Sequence, residues 1–445
     1  MRRNFFKAIL LLTLVSVYTV ACQRDKDKYH DQLKGTKTFD AEVVIRWLNM
    51  QLQMVKVPLA AGTGSQATDR AQAYCGIALY EAVVPGMADY RSLAGQLIDF
   101  PVMPRVDPDK AYNWALCANA ALAEMNRRLF PTTDEAFKTA MTNLENELTA
   151  AYNMGSELAT VQRSLLFGKE VATRVANWAA SDGFANVNPP YIPPVGPGLW
   201  IPTAPPPAVA VNAYAYQRRL MVRGSADGTA LQPLPPFSTE PGSAFYAMAK
   251  EVYDASFVAT DDQKAMALYF RDNPGYSPGG GFIWILSEAL RTSGVALDKA
   301  ALAYVKVGLA QHEATIVLNT DKYKFNVIRP VTYIRAVIDP NWQTYIATPN
   351  HPEYPSGHAT TNGAVLSMMS HSFGENFPIT LRTYDYLNFP ARSYTTFTAM
   401  GKDMADSRFY GGLHFRLTCE RSLVQGRKVA QNILNTIQFG KGWDK

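Results

Sequence analysis

The sequence predicts an all-α fold, a helical bundle broken by one long irregular crossing. Three observations carry this. Apolar residues recur at helical spacing through most of the 445 residues. Strict apolar–polar alternation, the mark of a half-buried strand, is scarce. Prolines gather in one place: Pro189–Pro241 holds 13 of the 28. Composition is that of a globular chain, 47% hydrophobic, 18% charged and 11% aromatic, which excludes a disordered, collagen-like or disulfide-scaffold protein. Lys plus Arg is 43 against 38 Asp plus Glu, a formal +5. Arg2, Arg3 and Lys7 lie in a leader-like segment, and without them the balance is +2. A nearly neutral chain gives no case for a nucleic-acid partner.

Taken in order, Met1–Ala21 has a basic start, an apolar run from Ala8 and small residues before Cys22. The run is too short for an ordinary membrane span and reads as a signal peptide, 1–21. Cys22 after Val20-Ala21 resembles a bacterial lipobox, with Thr19 where Leu is typical. That resemblance implies lipidation at Cys22, a tether over 22–37 and export to the outer membrane, Gln23 favouring the outer over the inner one. An N-terminal helical half is expected over 38–187. Thr132–Tyr152 begins Thr-Thr-Asp-Glu, a good helix start. Leu158, Val161, Leu165, Ala172 and Val175 mark a second helix. The crossing, 188–242, has fixed φ angles and missing donors, so it is irregular. A C-terminal helical half, 243–445, follows. There Leu302, Val305, Leu309, His312 and Ile316 keep helical period, with His312 read as a packed core histidine. Cys75, Cys117 and Cys419 are too widely spaced for a disulfide framework or a zinc site and read as buried thiols, with one disulfide left open.

Four of the six histidines fall between His351 and His414, among three short blocks. The first is Lys322-Tyr-Lys-Phe-Asn-Val-Ile-Arg329-Pro330, the second Pro355-Ser356-Gly357-His358, the third Ser407-Arg408-Phe-Tyr-Gly-Gly-Leu-His414. Lys322, Arg329 and Arg408 supply fixed positive charge, and the two arginines planar forks for oxygen. Ser356 offers a hydroxyl, and Gly357 lets its backbone N–H come close. His358 to Gly374 reads as a helix ending in a glycine cap, so an oxyanion would sit at a helix N-terminus. His358 and His414 remain for chemistry, one to bond the central atom and one to move protons. His371, near the helix C-terminus, takes no role.

In order and internal spacing these blocks resemble the superfamily of vanadium-dependent haloperoxidases and type 2 phosphatidic acid phosphatases, whose pattern is K-x6-R-P, P-S-G-H and S-R-x5-H-x3-D. The resemblance extends to Arg70-Ala-Gln-Ala-Tyr-Cys-Gly-Ile-Ala-Leu-Tyr-Glu-Ala-Val, to Gly198-Leu-Trp-Ile-Pro-Thr-Ala-Pro-Pro, to Thr260-Asp-Asp-Gln-Lys and to Tyr269-Phe-Arg-Asp272-Asn-Pro-Gly, so it runs from about Thr38 onward. It implies a helical bundle of the haloperoxidase and acid phosphatase type with the site in its core. It implies that Lys322, Arg329, Ser356, Gly357 and Arg408 hold the oxygens of vanadate or phosphate. His414 would be the vanadium ligand, or the phosphorylated nucleophile of a phosphatase. His358 would be the general acid/base, and Lys322 would polarise hydrogen peroxide while a halide is oxidised.

One position departs from the pattern. The family aspartate four residues after the last histidine is Thr418 here. It shares a helix face with His414, without the charge that raises ligand basicity. Glu420 points elsewhere, and Asp403 and Asp406 are the candidate substitutes. Asp272 and Glu313 are the candidates to orient His358. His351, seven residues before the motif histidine, is a bromoperoxidase-like feature and the halide-proximal candidate. Asn319 stands where several relatives carry Trp, which argues against a chloroperoxidase-like pocket. The flanks therefore favour a haloperoxidase of iodide or bromide. The alternatives are a phosphomonoesterase working through a phosphohistidine, and a non-catalytic surface lipoprotein. Expected partners are hydrogen peroxide and halide, or a phosphate ester, with the membrane met only through the lipid. Related haloperoxidases are often dimers, so a homodimer stays open.

Overall fold

The computed structural model describes residues 35–56, 65–203, 209–271 and 281–441. The leader segment, Cys22 and most of the tether lie outside these residues, as does Asp272. Thirteen α-helices and two three-residue strands are present among the described residues, so the fold is all-α as the period requires. No helix of the described residues is long and apolar enough to cross a membrane.

Five helices precede the crossing: α1 (Glu42–Val55), α2 (Ser65–Val83), α3 (Trp114–Leu129), α4 (Glu135–Asn153) and α5 (Leu158–Ala179). The Thr-Thr-Asp-Glu start opens α4 only after Asp134, which stays extended as the N-cap. On α5 the apolar period buries Val161, Phe167, Val171, Ala172 and Val175 against α3, while Leu158 and Leu166 face solvent. Eight helices follow the crossing: α6 (Ala244–Val258), α7 (Asp261–Tyr269), α8 (Gly281–Ser293), α9 (Leu297–Phe325), α10 (Pro330–Val337), α11 (Gly357–Phe373), α12 (Phe397–Tyr410) and α13 (Arg416–Thr436). The strands Ile379–Leu381 and Arg392–Tyr394 pair antiparallel between α11 and α12.

The 29-residue α9 is the central post. It packs on α2 from the N-terminal half and on α11 from the C-terminal half. One continuous hydrophobic cluster consequently runs from Ala41 to Phe439. A helix buried all round loses its amphipathic stripe, which is why α9 carries apolar residues on nearly every face. His312 sits on it in the core, its Nε2 3.0 Å from the Arg219 carbonyl, and burial lowers its pKa to about 4. Cys75, Cys117 and Cys419 are buried free thiols.

The proline-rich crossing is held from outside. Its backbone has few donors to offer, so its carbonyls are taken up by side chains of the C-terminal half. Tyr333 donates to Ser238 O, Tyr354 to Gln232 O and Gln425 to Thr229 O, at 2.6, 2.8 and 3.2 Å. Asn432 donates to the carbonyls of Ser225 and Asp227. Buried Glu313 accepts from the Met221 N–H at 2.6 Å and from the Ser225 hydroxyl.

Helices α11 and α13 meet backbone to backbone. A Cβ on Gly426 would lie 1.9 Å from Thr360 O, and one on Gly363 2.3 Å from Leu423 O. No rotamer change relieves a clash with main chain, and close-packed interiors do not yield. Gly426→Ala is therefore expected to cost about 3 kcal/mol, at the upper end for overpacking. A urea titration should show a lower midpoint at unchanged slope. Wild-type stability in that variant would mean the two helices are not locked together.

Candidate active site

The second and third motif blocks are brought together by that helix pair. Ser356 is the N-cap of α11, its hydroxyl accepting from Ala359 N. Gly357 and His358 form the first turn. His414 lies in the turn between α12, which ends with Arg408 in its last turn, and α13. The first block comes from the C-terminal end of α9, with Lys322 in its last turn and Arg329 capping α10.

Lys322, Gly357, His358, Arg408, His414 and His351 line one cavity of about 330 Å³. One wall is a polar face of α9, Gln311, Thr315, Asn319 and Lys322, at intervals of three and four. Phe270, Phe282, Trp284, Tyr384 and Met404 add apolar lining. Asn319 donates to Thr315 O at 2.8 Å. Asp69 is also in the lining, and burial raises its carboxyl to about 7, against a 2.6 Å hydrogen bond from Gln311.

Three cations converge. Lys322 is fully buried and donates to the carbonyls of Pro352, at 2.9 Å, Glu353 and Pro355. Burial, reinforced by Arg329 and Arg408, drives its pKa well down, while Glu353 opposes. Arg329 is fully buried behind the cavity wall. Its Nε donates to His351 O at 2.9 Å, and Nη1 to Leu413 O at 3.0 Å. Nη1 also lies 3.2 Å from His414 Nε2, and Nη2 2.8 Å from His351 Nδ1. Arg408 donates to Phe270 O at 3.1 Å. Ser356, by contrast, turns its hydroxyl into the α11 cap and is absent from the cavity lining.

Behind His414 stands a residue that no motif names. Glu353 Oε1 is 3.0 Å from His414 Nδ1 and accepts the Phe415 N–H at 3.1 Å. Its Oε2 accepts the Thr418 hydroxyl at 3.0 Å. Burial raises the Glu353 carboxyl to about 7, opposed by Arg329 and Lys322. Burial and the three cations, Arg329 foremost, push His414 well below the usual imidazole range.

The other candidate carboxylates are engaged elsewhere. Asp406 pairs with Lys402, and Asp403 with Arg392 and the Tyr394 hydroxyl. Neither serves His414, because α12 turns both away from the cavity. Glu313 braces the crossing through Met221 and Ser225, so it does not orient His358.

An oxyanion suits this donor set. The converging groups are ammonium, guanidinium, a backbone N–H at a helix start and three imidazoles, which together provide charge and N–H donors for oxygen. His414, with Nδ1 turned to Glu353, keeps Nε2 on the side of the cations. Vanadate and phosphate both meet that description.

Comparison with known proteins agrees with this site. Residues 303–440 match the family model of the VCPO second helical-bundle domain. The crystal structure of the first bacterial vanadium-dependent iodoperoxidase is similar over 91% of this chain and 98% of its own, with 28% identity and a TM-score of 0.80. A holo-type bacterial vanadium-dependent chloroperoxidase is similar over 86% of this chain and 93% of its own, with 18% identity and a TM-score of 0.64. Its apo-type counterpart has 17% identity and a TM-score of 0.62 over 82% of this chain and 93% of its own. Comparison with curated proteins gave no match. The matched domain, the shared fold and the three motif blocks gathered at one cavity place this chain in the vanadium haloperoxidase superfamily.

Proposed function

We propose that this chain is a vanadium-dependent haloperoxidase that oxidises iodide or bromide with hydrogen peroxide. The observation that carries the reading is the convergence of Lys322, Gly357, His358, Arg408 and His414 on one cavity, in a fold that follows an iodoperoxidase almost end to end. Vanadate, when bound, supplies a Lewis-acid centre that activates peroxide without changing oxidation state. The chain does the rest. Lys322 and Arg408 would hold the vanadate oxygens by charge, and the Gly357 N–H would add the field of the α11 N-terminus. Arg329 works from behind, fixing the 351–355 loop and the His414 turn at one distance. His414 would bond the central atom through Nε2, its Nδ1 being turned to Glu353. His358, half-buried at the cavity, takes and returns the peroxide proton. His351 lines the same cavity beside Arg329 and is the halide-proximal group of this reading. The apolar lining residues limit water in the cavity. Residues 1–22 support export and lipid attachment at Cys22 as part of the same proposal.

The same cradle accepts phosphate, and a phosphohistidine at His414 is the competing chemistry. Purified protein given orthovanadate, iodide and hydrogen peroxide separates the two. Triiodide formation that requires vanadate and is suppressed by phosphate is the expected result. Phosphate-ester hydrolysis inhibited by vanadate, without iodide oxidation, would overturn it in favour of a phosphatase.

A further inference from the structure

We infer that Glu353 is a positioning residue that replaces, from the loop side, the aspartate its superfamily carries on the helix after the last histidine. It holds the His414 ring with its proton on Nδ1 and its lone pair on Nε2. The donor and acceptor inventory of the contacts requires this tautomer. Arg329 can only donate, and its Nη1 lies 3.2 Å from His414 Nε2. Nε2 must then accept, so the ring proton sits on Nδ1, 3.0 Å from Glu353 Oε1. The carboxylate is itself fixed before it meets the ring. Phe415 N–H holds Oε1 at 3.1 Å and Thr418 Oγ1 holds Oε2 at 3.0 Å.

Thr418 explains why the replacement is exclusive. It is four residues after His414 and faces the same way, yet its hydroxyl donates to Glu353. A carboxylate at 418 would sit against the Glu353 carboxylate, both out of water, where like charges repel strongly. One carboxylate serves the ring, from 353 or from 418, and its partner position must be neutral. Threonine supplies a neutral donor there.

The inference takes vanadate as ligand from the proposed function, but the ring tautomer does not depend on it. Glu353→Gln tests the charge with little loss of contacts. Its amide oxygen can accept from Nδ1 and Phe415 N–H, and its amide N–H₂ can donate to Thr418. Orthovanadate affinity of the apo protein, by equilibrium dialysis, is expected to fall roughly 10- to 100-fold. Thr418→Asp alone is expected to weaken binding and lower the melting temperature. Combined with Glu353→Gln it is expected to restore most of the affinity, reversing the sign of its own effect. Equal affinity in Glu353→Gln, or Thr418→Asp equally harmful in both backgrounds, would overturn the inference. A second measurement needs no ligand: ¹⁵N NMR of histidine-labelled wild-type apo protein should show His414 protonated on Nδ1. A proton on Nε2 would overturn the inference whether or not the variants fold. Wild type that binds no vanadate but shows the Nδ1 tautomer would sink the haloperoxidase reading alone.

Discussion

His414→Ala is expected to abolish vanadate binding and halide oxidation together. Its Nε2 is an acceptor at the centre of three cations, and its ring is held from behind by a carboxylate with both oxygens engaged. On the proposed reading, alanine removes the imidazole that would bond the central atom and leaves charge contacts that a sulfate or chloride ion can also satisfy. A loss of at least about a thousandfold in affinity, near 4 kcal/mol, is expected. The fold should survive, because Glu353 keeps the Phe415 N–H, the Thr418 hydroxyl and the nearby positive charge. Dialysis against orthovanadate followed by metal analysis checks the first part, and triiodide formation the second. A variant that retains stoichiometric, active vanadate would remove His414 from the mechanism.

How much of this could be read in the sequence follows from what fixes each part. Helix α5 was legible because Val161, Ala172 and Val175 repeat a core-facing stripe, although Leu158 at its start faces solvent. The long α9 was legible from Leu302 to Ile316, although its burial on all sides shows only when α2 and α11 are in place. The motif residues were legible because oxyanion chemistry demands fixed types at fixed intervals. Glu353 was not. It reaches His414 across 61 positions, and no helical or strand period links a loop residue to a distant turn. The signal was present as a pair of local facts: an acid three residues before Ser356, and threonine where an acid is usual. Ser356 shows the reverse limit. Its place in the motif suggested an oxygen contact, whereas the same hydroxyl at the first residue before α11 is also a helix cap.

Arg329→Met should be the most damaging change to anion binding other than loss of His414, and for a different reason. Arg329 is absent from the cavity lining, yet its guanidinium makes four contacts that tie its own block to Leu413 O and His414 of the third and to His351 on the approach to the second. Methionine matches the stem and deletes the fork. The buried Leu413 carbonyl and the half-buried His351 carbonyl then lose their donor, at about 1–3 kcal/mol each at most. Against this, removing one of three clustered cations relieves repulsion with Lys322 and Arg408 in the anion-free protein. The two effects oppose each other, so the melting temperature of the apo variant is expected to fall only modestly. Anion-linked stability is the decisive quantity. In wild type, orthovanadate at about a hundred times its dissociation constant adds about 2.7 kcal/mol by mass action. In Arg329→Met that increment should vanish, because the His414 turn and the 351–355 loop are no longer held in register. Arg329→Lys restores the charge without the fork and is expected to recover little of it. If vanadate raises the melting temperature of Arg329→Met as it does that of wild type, charge from Lys322 and Arg408 suffices, and the preorganisation assigned to Arg329 is wrong.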